Sequence, residues 1–87
     1  MKWDKVSFVL KSESRKRIIA LLSSPRTPKQ LSKSLKSSLP NISLKLKDLA
    51  NEGLIKCVNP KEVKGRIYIL TEEGKKVLKK VGEMEKD

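Results

Sequence analysis

Ten basic side chains stand between Lys11 and Lys47 (Lys11, Arg15, Lys16, Arg17, Arg26, Lys29, Lys33, Lys36, Lys45 and Lys47) against one acid, Glu13. The rest of the 87 residues is nearly balanced, so the net charge of +11 is carried almost entirely by that segment. Ammonium and guanidinium groups concentrated in this way bind polyanions through Coulomb attraction and counterion release, and nucleic acid is the polyanion they suit best. Lys61, Lys64 and Arg66 form a separate basic tip within the balanced second half. The plainer alternative is a solvated, lysine-rich surface.

Catalysis is poorly provided for. The chain has no histidine, and therefore lacks the commonest general base and metal ligand. Cys57 is the only cysteine, so neither an internal disulfide nor a thiolate metal cluster can form, and a reducing cytoplasmic setting is expected. In its strand it reads as a small buried filler. Glu72 and Glu73 are adjacent and diverge on a helix, so they are not a carboxylate pair. Gly74-Lys75-Lys76 lacks the glycine loop and the Ser or Thr of a phosphate-binding loop. The longest apolar run, Ile18 to Leu22, is far shorter than the ~20 residues of a membrane span, and no secretory leader is visible. No enzyme, no cofactor, no membrane and no small-molecule ligand are expected.

The elements that must hold these cations in place are legible from spacing and caps. Trp3, Val6, Val9 and Leu10 suit a short amphipathic helix. Ser12 caps a second helix, with Glu13 in its first turn and a buried stripe of Ile18, Ile19, Leu21 and Leu22. Thr27-Pro28-Lys29-Gln30 combines a capping box with a proline at the first helical position, which predicts a helix over about Pro28 to Leu35. After the break at Lys36-Ser37-Ser38, a further helix runs from Ser38 or Leu39 to about Asn51, where Gly53 stops it. At about 100° per residue its Ile42, Leu46 and Leu49 fall within about 60° of one another and face the core. Pro40, Ser43, Leu44 and Lys47 lie opposite, flanked by Asn41, Lys45 and Asp48.

Leu54–Val58 and Arg66–Leu70 read as two strands joined through turn signals at Asn59-Pro60 and Lys64-Gly65. Thr71 caps a last helix with a stripe of Val77, Leu78, Val81 and Met84. The whole is one domain over residues 1–87: a helix-turn-helix at about 27–52, a wing at about 54–70 and a C-terminal helix at about 71–84. The expected fold class is mainly α with a small β-hairpin (α+β), the order of a winged helix-turn-helix. In that arrangement the helix ending near Asn51 is free to enter a major groove about 12 Å wide.

Two segments carry a closer likeness. Leu46-Lys47-Asp48-Leu49-Ala50-Asn51-Glu52-Gly53-Leu54-Ile55 resembles the recognition-helix exit of winged-helix regulators, and Gly65-Arg66-Ile67-Tyr68-Ile69-Leu70-Thr71-Glu72-Glu73-Gly74 resembles their passage from wing to last helix. The sequence is most similar to small archaeal winged helix-turn-helix transcription regulators of the MarR-like and ArsR-like group. The resemblance implies a nucleoid-associated homodimer that binds double-stranded DNA and regulates transcription. It also implies that Ser43, Leu44 and Lys45 occupy the base-contacting triplet. Leu44 stands where such regulators often carry arginine, and leucine can touch a thymine methyl but cannot read guanine bidentately. Lys36 and Ser37 replace the glycine and the apolar residue common in the turn.

The residues expected at the DNA are therefore Thr27, Lys29, Gln30, Ser38, Pro40, Asn41, Ser43, Leu44, Lys45, Lys47, Lys61, Lys64 and Arg66. The opening of the helix at Pro28 offers backbone N–H groups plus Lys29 as a phosphate clamp. The cluster Arg15-Lys16-Arg17 reads first as a solubilising surface and second as a phosphate contact. Trp3 and Phe8 read as core, or alternatively as a seam between two copies together with Val77, Leu78 and Val81. RNA binding, non-specific architectural DNA binding and docking of acidic proteins are the competing functions.

Overall fold

A computed structural model describes residues 3–85, with side chains described from Lys5 onward. Five helices and a two-stranded sheet follow in the order α1 (Trp3–Leu10), α2 (Glu13–Leu21), α3 (Pro28–Leu35), α4 (Leu39–Asn51), β1 (Ile55–Cys57), β2 (Tyr68–Leu70) and α5 (Glu72–Met84). This is a winged helix-turn-helix, mostly helical with one antiparallel hairpin.

The helix ends are fixed by the side chains that the sequence places there. Ser12 accepts a hydrogen bond from the Arg15 N–H, with Glu13 in the first turn of α2. At α3 the Thr27 hydroxyl accepts from the Gln30 N–H at 3.1 Å, and the Gln30 amide oxygen accepts from the Thr27 N–H at 2.9 Å. Ser38 caps α4 by accepting from the Asn41 N–H. The stop after α4 is a Schellman turn: Gly53 N–H donates to the Ala50 carbonyl and Leu54 N–H to the Leu49 carbonyl, with Gly53 at φ +75°. Thr71 opens α5, accepting from the Gly74 N–H and donating to the Gly53 carbonyl at 2.6 Å. One hydroxyl thus ties the end of α4 to the start of α5.

The core gathers Val6 and Val9 of α1, Ile18, Ile19 and Leu22 of and after α2, Leu31 of α3, Ile42, Leu46 and Leu49 of α4, and Val77 and Val81 of α5. Leu54, Ile55 and Leu70 close it from the hairpin, and none of the buried described side chains is polar. Helix α3 packs on α4, α1 on α2 and α5, and α2 on α3 and α5. The core-facing stripe expected for α4 is the one observed. Leu21 is half-buried rather than buried, and Met84 is exposed.

The strands are shorter than the spacing suggested, three residues each, paired Ile55 with Leu70, Lys56 with Ile69 and Cys57 with Tyr68. Beyond them Val58 N–H still reaches the Ile67 carbonyl, but the Ile67 N–H turns to the Asn59 side-chain oxygen at 2.7 Å. An asparagine side chain replaces the ladder there, which ends the regular strand. A third edge was not foreseen: Arg26 exchanges both backbone hydrogen bonds with Tyr68, at 2.9 and 3.2 Å, and sews the link before α3 onto the hairpin. Cys57 is half-buried, with its thiol 3.5 Å from the Asn59 oxygen.

Candidate nucleic-acid interface

The candidate interface is built from α3, α4 and the wing, and its shape depends on how each is anchored. Helix α4 is held from behind by Ile42, Leu46 and Leu49. It is also held at its C-terminal end by Lys5, whose ammonium donates to the Glu52 carbonyl at 2.6 Å. A cation there suits the negative end of the helix dipole. The hairpin is fixed against α3 by the Arg26–Tyr68 pairing, and Asn59 bridges the wing by donating to the Gly65 carbonyl at 3.1 Å. Between α4 and the wing lies an open groove of about 920 Å³.

Thr27, Lys29, Ser43, Lys47, Lys64 and Arg66 line this groove, so six of the thirteen expected DNA residues meet on one surface. Four are cations, and no acid is among the lining residues. Arg66 is oriented by its own Nε, which donates to the Glu62 carbonyl at 2.7 Å. Arg66 is otherwise exposed. Lys64 sits beside Gly65, whose φ of +71° forms the turn at the tip.

The other expected residues lie elsewhere. Pro40, Asn41 and Leu44 are exposed along α4, and Lys61 on the wing, without lining the groove. Lys45 is half-buried and turned towards the side of α4 away from the wing. The Ser38 hydroxyl and the Gln30 side-chain oxygen are engaged in caps, so both serve the helices first. The opening of α3 also offers less than expected. Thr27 and Gln30 satisfy each other and Pro28 has no proton, which leaves the Lys29 N–H as the one amide to present.

Leu39, Asn51 and Val63 also line the groove and are not among the residues expected from sequence. Helical periodicity contained the signal for Asn51, which follows Leu44 by two turns. Nothing in the sequence marked Val63, which is 89% exposed at the tip of the wing.

Arg15, Lys16 and Arg17 are occupied within the chain. The Arg15 guanidinium lies 3.8 Å from the Phe8 ring centre, donates to the Phe8 carbonyl at 2.8 Å and stands 3.9 Å from Asp48. Lys16 pairs with Glu13 and Glu85, and Arg17 with Glu13. The Glu85 and Glu13 carboxylates raise the Lys16 pKa above the usual 10.5. Val77 and Val81, named with the alternative seam between copies, are buried in the core of the single chain. Phe8 and Leu78 pack partly against the same core, and the Trp3 side chain lies outside the described residues.

The fold is that of a winged-helix module of the kind found in transcription regulators. Residues 12–56, more than half of the chain, match the family described as "Bacterial regulatory protein, arsR family". The chain belongs to this family. Among solved structures it is similar to a MarR family transcription regulator, with 26% identity and a TM-score of 0.75 over 85% of this chain and 51% of that one. It is similar also to Lactococcus lactis ZitR in complex with DNA, with 25% identity and a TM-score of 0.70 over 80% and 49% of the two chains. A "possible transcriptional regulator for arsenical resistance" shares 27% identity at a TM-score of 0.68, over 87% of this chain and 78% of that one. The chain spans about half the length of the first two of these. No curated protein sequence matches it.

Proposed function

We propose that this chain is a sequence-specific, double-stranded DNA-binding domain of a transcription regulator, with α4 in the major groove and the wing on the flanking backbone. The observation that carries the reading is the acid-free groove in which Lys29, Lys47, Lys64 and Arg66 converge beside the exposed face of α4. Four exposed cations from three elements on one concave surface fit a phosphate backbone. The complex of Lactococcus lactis ZitR with DNA supports the same reading.

The domain acts as a homodimer on the chromosome, in the manner of the small archaeal regulators its motifs resemble. With Val77 and Val81 inside the core, the outer sides of Phe8 and Leu78 are what remains of the expected seam. Two recognition helices would then address half-sites about one DNA turn, roughly 34–36 Å, apart.

Selection of genomic fragments by the purified chain, followed by titration of the selected duplex across a salt series, tests the proposal. A selected motif with two half-sites is expected. So is a binding constant that falls with a log–log slope of roughly −2.7 to −3.6 per protomer, the value for three to four neutralised phosphates. Binding without any preferred sequence would make the protein architectural, and preference for structured RNA over duplex DNA would overturn the reading.

A further inference from the structure

We infer that the duplex read by this domain places a thymine against the leading edge of α4 and that Leu44 recognises it through the C5-methyl group. The inference rests on the DNA-binding reading above and names the base at one position of that site.

The core residues Ile42, Leu46 and Leu49 define the inward direction of α4. At about 100° per residue, Leu44 falls within about 15° of the direction diametrically opposite. Leu44 and Asn51 thus point most directly away from the body of the protein; Asn51 lies at the last turn, whereas Leu44 stands in the middle of the helix and is 62% exposed. Its neighbours on that face are Pro40 and Lys47, each about one turn away, with Asn51 two turns on. Ser43 turns towards the wing, and Lys45 is half-buried on the far side. No arginine or glutamine occurs anywhere in α4.

The side chain at the middle of the outward face of this helix thus has no hydrogen-bonding group. Only one base edge in a major groove rewards such a side chain. Guanine presents two acceptors, adenine an acceptor and a donor, and cytosine a donor, all of which a leucine would desolvate without replacement. Thymine alone adds a methyl group, which buries apolar surface against apolar surface. The cations around the groove supply the attraction that brings the helix there, so the leucine adds selectivity rather than overall affinity.

The test uses the full chain and a duplex chosen by it from a random pool. Each thymine of that duplex is replaced in turn by uracil, which removes the methyl and leaves every hydrogen-bonding group intact. At one or more positions the change should weaken binding by about fourfold, the size expected for one buried methyl. The Leu44→Ala protein should bind the thymine and uracil duplexes equally well. Because Leu44 is exposed, that variant should keep its fold, which its melting temperature checks. The inference is overturned if no thymine responds, or if Leu44→Ala keeps the full thymine-to-uracil ratio. Failure of the parent to bind duplex DNA at all would remove the inference together with the reading on which it stands, and is plainly distinct from normal binding without a methyl effect.

Discussion

Lys29 and Ser43 line the same groove, yet their chemistry assigns them different parts. Lys29 sits in the first turn of α3 beside the one backbone amide which that helix end leaves to present, and a point charge on a flexible stem suits a phosphate. Lys29→Ala should weaken binding to every duplex by a similar factor and reduce the magnitude of the salt slope by about 1, as read in a fluorescence titration. Ser43 stands on α4 facing the wing, where its hydroxyl can donate to or accept from a base edge. Ser43 and Lys45 variants should alter which sequences are selected. If both bind all duplexes as the parent does, the assignment of α4 as the recognition helix fails. The half-buried position of Lys45 makes its expected effect the smaller of the two.

At the scale of elements, the turn between α3 and α4 and the start of α5 each show a local constraint with a measurable consequence. Lys36 ends α3 in the left-handed conformation, at φ +53°, which costs a side-chain-bearing residue roughly 1–2 kcal/mol and glycine almost nothing. Lys36→Gly should therefore stabilise the domain by about 1 kcal/mol, after the extra chain entropy of glycine is deducted. For a chain of this size, that is a rise in melting temperature of about 4–8 °C. Gly74 is the opposite case. It is buried in the first turn of α5, and an added Cβ would lie 1.9 Å from the Leu54 carbonyl oxygen. The obstacle is backbone rather than a movable side chain, so Gly74→Ala should destabilise by about 1–3 kcal/mol or more, seen as an earlier thermal transition.

For the molecule as a whole, charge governs both binding and its dependence on solution conditions. With no histidine in the chain, no side chain has its ordinary pKa between 5 and 8. DNA affinity at fixed ionic strength should therefore stay flat from about pH 5.5 to 7.5 while falling steeply with salt. Lys16 gives the sign at the alkaline end. Its folded pKa lies above the ordinary 10.5 because of Glu85 and Glu13, so its ion pairs contribute their full stability below that value. The contribution is lost as pH rises through the raised pKa. Melting temperatures of the parent and of Lys16→Ala should thus differ by a small, constant amount near neutrality and converge only above the lysine range.

Caps and periodicity made the helices legible because both are local. Thr27 with Gln30, Ser38 with Asn41 and Gly53 act within a few residues of chain, and the stripe of Ile42, Leu46 and Leu49 repeats with the helix itself. The exposed face of α4, and so Leu44, followed from the same count. The charge surplus between Lys11 and Lys47 indicated a polyanion partner but not which cations would meet it. That choice was made by packing between residues remote in sequence. Asp48 and Glu85 engage Arg15 and Lys16, while the Arg26–Tyr68 pairing brings Lys64 and Arg66 beside Lys29 and Lys47. Apolar residues on α5 likewise all read alike in sequence, whereas only the folded chain puts Val77 and Val81 inside and leaves Leu78 at the edge. Local pattern determines which elements form. The contacts between elements decide which charges are left for a partner.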